Sequence, residues 1–164
     1  LDGEQMAEAV RLYDIWSSYR IESEGVLVAH ASIHGSTAKV AHRVAETLRA
    51  KGIEAKEIDL CRSDVSEAVS QAFRYGKMVL CASSYDSGVF PPMHIFLYKL
   101  GIKGYQSRRV ALVENGTWAP TAGKTMRGML ETMKNIDIVE PTLTIRSAWK
   151  EEYEEQLQTL VESL

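Results

Sequence analysis

Three short stretches carry the hydroxyls, glycines and aromatics from which a binding site can be built. The first is Ser32-Ile33-His34-Gly35-Ser36-Thr37, placed where the apolar run Val26–Ala31 stops and a helical pattern begins. The first turn of a helix has N–H groups without internal partners and a partial positive charge, so an anion sits there readily. Ser32, Ser36 and Thr37 add hydroxyl donors, and Gly35 lets the backbone approach without a Cβ in the way. A hydroxyl ahead of a helix is by itself more simply a cap, but the preceding strand and Gly35 shift the reading to phosphate. No GK[ST] ending follows, so the loop lacks the lysine and magnesium-binding hydroxyl of a nucleotide-cleaving P-loop. Its chemistry is to hold a phosphate, not to cut one.

The second stretch offers Ser83, Ser84, Tyr85, Asp86 and Gly88, and the third Asn115, Gly116, Thr117 and Trp118. A phosphate cradle with one aromatic in each flanking loop suits a flat, phosphorylated heterocycle, because rings stack with energy beyond plain burial. Trp118 lies between Thr117 and Ala119-Pro120, off any helical stripe, which favours stacking over a place in the core. His34 is a contact candidate through its loop alone.

The elements that must position these loops follow from apolar periodicity. Met6, Val10, Tyr13 and Trp16 repeat at helical spacing and predict an opening helix over about 2–18. Strands are expected at 26–31, 54–60, 77–82, 109–113 and 137–145. Helices are expected from Ser36 to Lys51 with Gly52 as its closing glycine, from an Asp64 or Ser63 cap to about Tyr75, from Met93 to Leu100, through Met126, Met129, Leu130 and Met133, and from about Lys150. The stretch SSYDSGVFPP reads as a long loop. Strands alternating with helices imply an α/β fold with a five-stranded, doubly wound parallel sheet, helices on both faces and an extra N-terminal helix. Residues 1–25 form the helix and lead-in, and 26–164 the domain proper. Ligands of such sheets bind beyond the carboxyl ends of the strands, where the three loops lie.

The chain has 164 residues, 45% of them hydrophobic, which is ample for one core. A net charge of −3 with scattered basic residues argues against a nucleic-acid surface. No apolar run approaches the ~18 residues of a membrane span, and the acidic start is unlike a signal peptide. Leu1 as first residue suggests a piece of a longer protein. Cys61 and Cys81, the two cysteines, read as small buried hydrophobes in a reducing cytoplasm. His30, His42 and His94 read as structural or exposed, Trp16 and Trp149 as core or interface, and the three methionines as core filler. No histidine or cysteine spacing predicts a metal site, and the Asn115-Gly116-Thr117 sequon is taken as coincidence.

With all three loops in order, the sequence resembles the flavodoxins, and more closely the flavodoxin-like domain of the A-type flavoproteins, or flavodiiron proteins. The family's phosphate loop S-M-Y-G-N-T is matched by residues 32–37, its S-P-T-Y-N-x-G-x-F-P loop by 82–91, and its G-S-Y-G-W loop by 114–118. The opening helix, with LYDIWS, is similar to the stretch joining that domain to an upstream diiron domain. The resemblance implies FMN as cofactor, held by Ser32, Ile33, His34, Gly35, Ser36, Thr37, Ser83, Ser84, Tyr85, Asp86, Gly88, Asn115, Gly116, Thr117 and Trp118. This chain departs from the family at His34, Ser83, Asp86 and Gly116. A carboxylate at position 86 near the ring would disfavour an anionic reduced flavin and lower its potential.

The implied role is electron transfer from a rubredoxin-like protein or NAD(P)H reductase to a diiron centre on another domain of the same parent protein. A homodimer of the full-length protein, with head-to-tail subunits, is part of the same expectation. No general base or nucleophile is required, so the chain is not expected to be a complete enzyme alone. The alternative is a self-contained FMN-dependent NAD(P)H or quinone reductase. A phospho-receiver would need carboxylates at the end of the first strand, where Ala29-His30-Ala31-Ser32 has none.

Overall fold

A computed structural model describes residues 2–17 and 20–164. Its frame is a parallel sheet of β1 (Ser23–Ala31), β2 (Ala55–Asp59), β3 (Tyr75–Tyr85), β5 (Arg108–Asn115) and β6 (Ile136–Ile138), in the order β2-β1-β3-β5-β6. β4 (Gly88–Val89) pairs antiparallel with β3, and β7 (Leu143–Ile145) pairs with β5 beyond β6. The helices are α1 (Gly3–Ser17), α2 (Ser36–Ala50), α3 (Val65–Arg74), α4 (Pro91–Ile102), α5 (Ala122–Glu131) and α6 (Glu154–Glu162), the last entered through a 3-10 turn at Glu151–Tyr153. The strand order reverses between β1 and β3, and the loops after those two strands and β5 emerge side by side at that point.

Alternation along β1 divides the interior. Leu27, Ala29 and Ala31 join one core beneath α3, α4 and α5, while Val26 and Val28 join another beneath α2 and α6. α2 buries Val40, Ala41, Val44, Ala45 and Leu48 along one stripe, and Gly52 (φ 79°) follows its end, as its sequence requires. α3 begins at Asp64, whose carboxylate accepts from the Ser66 N–H.

Three expectations are corrected. The stretch after Ala82 is not a plain loop: β3 runs on to Tyr85 and turns through Asp86 and Ser87 into β4. The fifth strand is broken into β6 and β7, with Pro141 between them, because proline cannot donate to a ladder. Cys81 is buried as expected and its thiol is pushed up by desolvation, but Cys61 is exposed, its Sγ 3.9 Å from the Ser32 carbonyl.

α1 forms as its periodicity predicts, yet Met6, Val10 and Tyr13 all face solvent. The reading of Trp16 as a core or interface residue concerns a side chain that the structure does not describe. Trp149 packs against Tyr153 and beneath the Arg43 guanidinium, and Met126 is buried with Met129 and Met133 partly so. Among the described residues no helix is long and apolar enough to cross a membrane.

Candidate functional site

β1 is buried on both faces to its last residue, so the chain must leave the sheet at Ser32 and turn sharply to start α2. Gly35 makes that turn at φ 89°, a conformation that costs a residue with a Cβ about 1–2 kcal/mol. The Gly35 N–H donates to Ser32 Oγ at 2.9 Å, closing the loop on itself. No side chain caps α2, and no acidic residue stands in its first turn. Thr37 is buried, with its hydroxyl 3.0 Å from that of Ser83, and the Ile33 N–H reaches the same Ser83 oxygen at 3.4 Å. Ser83 therefore ties the first loop to the second.

The second loop is a two-residue hairpin. Asp86 and Ser87 both take the left-handed conformation (φ 47° and 60°), as primed hairpin turns demand, although neither is glycine. The turn presents Tyr85, half exposed and tilted 5.7 Å from Phe90, with Asp86 at the tip. Gly88 pairs with Tyr85 and accepts the Thr121 hydroxyl at 2.7 Å.

The third loop is braced from beneath. Glu114, a buried carboxylate at the end of β5, accepts from the Gly123 N–H (2.6 Å) and the Thr144 hydroxyl (2.8 Å). Ser84 Oγ accepts from the Thr121 and Ala122 N–H groups at 2.8 and 3.1 Å. Asn115 and Ser147 exchange two hydrogen bonds, and the Arg146 guanidinium donates to the Trp118 carbonyl at 3.3 Å. Trp118 itself is 91% exposed.

Two joined cavities result. The inner one, about 240 Å³, is lined by the phosphate-loop hydroxyls, Ser83, Ser84, Asn115, Gly116, Thr117 and Ser147. The outer one, about 330 Å³, shares Ser84, Gly116 and Thr117 with it and adds Tyr85, Asp86 and Trp118. Most of the residues expected from sequence meet here, Ile33 and His34 included. Gly35 and Gly88 line neither cavity: the first sets the entry to α2, the second the back of the hairpin. Sequence reading missed Ser87, Ala119, Thr121, Ser147 and Arg146. Ser147 follows the last strand of the sheet, and the carboxyl-end rule applied to that strand would have found it.

His30, 7% exposed, lies within reach of the Asp59 and Glu57 charges, and burial holds its pKa below the usual histidine range. His42, Glu46 and Glu57 bring possible ligand atoms within 4.8 Å of one another. Arg49 already donates to both carboxylates, at 2.6 and 3.0 Å, so the group is an ion-pair network on an exposed surface.

The profile of the flavodoxin family matches residues 28–159. The chain belongs to the flavodoxin family. FMN is that family's cofactor, and the cradle fits it: a helix start without a capping side chain, hydroxyls beside it, and an aromatic-edged cavity next door. An uncharacterized protein of Methanocaldococcus jannaschii is 24% identical over 92% of this chain, which spans only 38% of that protein's length. The fold is shared with rubredoxin oxygen:oxidoreductase from Desulfovibrio gigas (TM-score 0.89, 19% identity, 98% of this chain and 39% of that one). It is shared equally with the flavodiiron protein of Giardia intestinalis (TM-score 0.88, 19% identity, 98% and 41%). Solved flavodoxins of ordinary length, of which this chain accounts for 93% and 96%, cover less of it, 84% and 85%.

Proposed function

We propose that this flavodoxin-family chain is the FMN-bearing electron-transfer domain of an A-type flavoprotein. It takes reducing equivalents from a rubredoxin-like protein or an NAD(P)H reductase and relays them to a diiron centre on another domain of the same parent protein. The observation that carries the binding reading is α2: its first turn is left without a capping side chain while the neighbouring α5 is filled by Glu114 and Ser84. The two-domain reading is supported by coverage. The two longer proteins cover 98% of this chain, where ordinary flavodoxins cover 84–85%.

The roles follow from placement. The α2 N–H groups with Ser32 and Ser36 hold the phosphate, and Thr37 with Ser83 fixes the loop that presents them. Ser84, Asn115, Gly116 and Thr117 line the passage between the cavities. Tyr85 and Trp118 flank the ring and exclude water from it, with the Asp86 charge beside it. FMN supplies the redox chemistry, and the protein supplies position, water exclusion and field. The low cysteine content and the exposed free thiol of Cys61 fit a reducing cytoplasm.

The test is a titration of the purified chain with FMN, following visible absorption and tryptophan fluorescence together. Shifted flavin bands with quenched emission support the reading, and a protein that ignores FMN removes it. NADH oxidation by the FMN-loaded chain alone would favour the self-contained reductase instead.

A further inference from the structure

The third loop of the cofactor site has little packing of its own. Thr117, Trp118 and Ala119 are all exposed, and no helix or strand runs between Asn115 and Ala122. A segment with so few buried contacts keeps one position only where hydrogen bonds hold it. Those bonds come from two residues at the end of β7, Arg146 and Ser147. The Asn115 side-chain amide pairs with the Ser147 backbone, accepting its N–H at 3.1 Å and donating to its carbonyl at 2.8 Å. The Ser147 and Thr117 hydroxyls lie 3.1 Å apart. The Arg146 guanidinium reaches the Trp118 carbonyl at 3.3 Å, with the Thr117 carbonyl 3.5 Å away.

The turn that supplies these contacts is itself anchored in the core. Ile145, just before it, is fully buried, and the Arg146 N–H donates to the Tyr153 hydroxyl at 3.2 Å. Tyr153 belongs to the core beneath α2 and α6 and packs against Trp149. Ser147 takes the left-handed conformation at φ 72°, which a residue with a Cβ keeps only where its surroundings over-determine it. Strain of this kind gathers at ligand sites, and Ser147 lines the inner cavity. Arg146 lines neither cavity, so whatever it does for a bound cofactor passes through the loop it holds.

We propose that Arg146 and Ser147 are positioning residues of the cofactor site, a core-anchored turn that sets the third loop and Trp118 in place before the cofactor arrives. The inference rests on the FMN reading above. A loop already in place loses less freedom on binding, so FMN affinity depends on Arg146 although that residue lines no part of the site. Arg146 fixes the backbone that carries the indole. Without the indole, the arginine has little left to position.

Two measurements on the purified chain test this. In the FMN-free protein, backbone amide relaxation should give order parameters near the ~0.85 of rigid backbone for residues 116–119, falling below ~0.6 in Arg146→Ala/Ser147→Ala. Both side chains are exposed, so the values in α2 and β5 should not change. In FMN titrations Arg146→Ala should weaken binding about fivefold in the wild-type background and less than about twofold in a Trp118→Ala background, as coupled residues do. Arg146→Lys keeps a donor for the Trp118 carbonyl and should recover part of the loss. Unchanged order parameters in the double variant overturn the proposal, whether or not FMN binds. An affinity indifferent to Arg146, full additivity with Trp118→Ala, or Arg146→Lys binding no better than Arg146→Ala overturns it as well. A wild-type chain that ignores FMN removes the proposed function instead, and the order parameters alone then uphold or overturn the hold on the loop.

Discussion

α2 and α5 begin at the same edge of the sheet, a few residues from one another across the cofactor site, and their first turns are treated in opposite ways. The start of α5 is finished internally: Ser84 Oγ takes two N–H groups and the buried Glu114 carboxylate takes a third. The start of α2 has a glycine in the left-handed conformation, no capping side chain and no acid in its first turn. α4, between them in sequence, opens with Pro91 and Pro92, which have no N–H to offer. One helix start is therefore finished by the fold itself and the other is left open, which is where the proposed function puts the phosphate. The partial charge is the same in both; the difference lies in which side chains neighbour it.

The contrast can be broken from the α5 side first. Glu114→Ala strands the buried Gly123 N–H and leaves the part-buried Thr144 hydroxyl without its acceptor, and should cost about 2 kcal/mol of folding stability, read as a lower melting temperature. Ser36→Asp would give α2 the carboxylate it lacks. FMN affinity should fall by about 2 kcal/mol through repulsion of the phosphate, while the cofactor-free protein gains about 0.5 kcal/mol. Opposite signs in calorimetry and in thermal melts would sharpen the comparison; the same sign in both would sink it. Trp118→Ala should weaken FMN by about 1–2 kcal/mol, with almost no effect on the melting temperature of a residue so exposed. An unchanged flavin spectrum and affinity would take Trp118 out of the site.

The smallest effect is one of pH. Because burial lowers the His30 pKa from 6.5, the unfolded chain binds a proton between the two values and the native one does not. Stability from this group is thus present above pH ~6.5 and lost as pH falls toward the native value. Melts in that window should show a shallow loss on acidification that His30→Gln flattens, and an unaltered slope in that variant would assign the loss to other groups.

Much of this was legible along the chain. The apolar stripe of α2, its closing Gly52 and the buried run of β3 each follow from local periodicity, and the three loops were placed by the strands they end. Pro141 inside the last apolar run was a readable warning that the strand would break there, and the breadth of the run masked it. The Asp86-Ser87 hairpin was only half legible, because aspartate suits a primed turn but Ser87 stands at the second position, where glycine is the usual signal. The exposure of Cys61 was hidden for a different reason: a thiol carries no polarity that distinguishes a core position from a surface one.

The sequence alone determined the alternation of the main strands and helices and the sharp, glycine-bearing turn at residues 32–37, since both depend on neighbours within a few positions. Only the tertiary structure decided which helix start stays open, because Ser84 and Glu114 reach α5 from distant points in the chain. It likewise decided that Ser147 completes the third loop and that Gly101 and Gly128 leave a groove between α4 and α5. Those outcomes depend on distances between residues far apart in sequence, which periodicity along a chain does not encode.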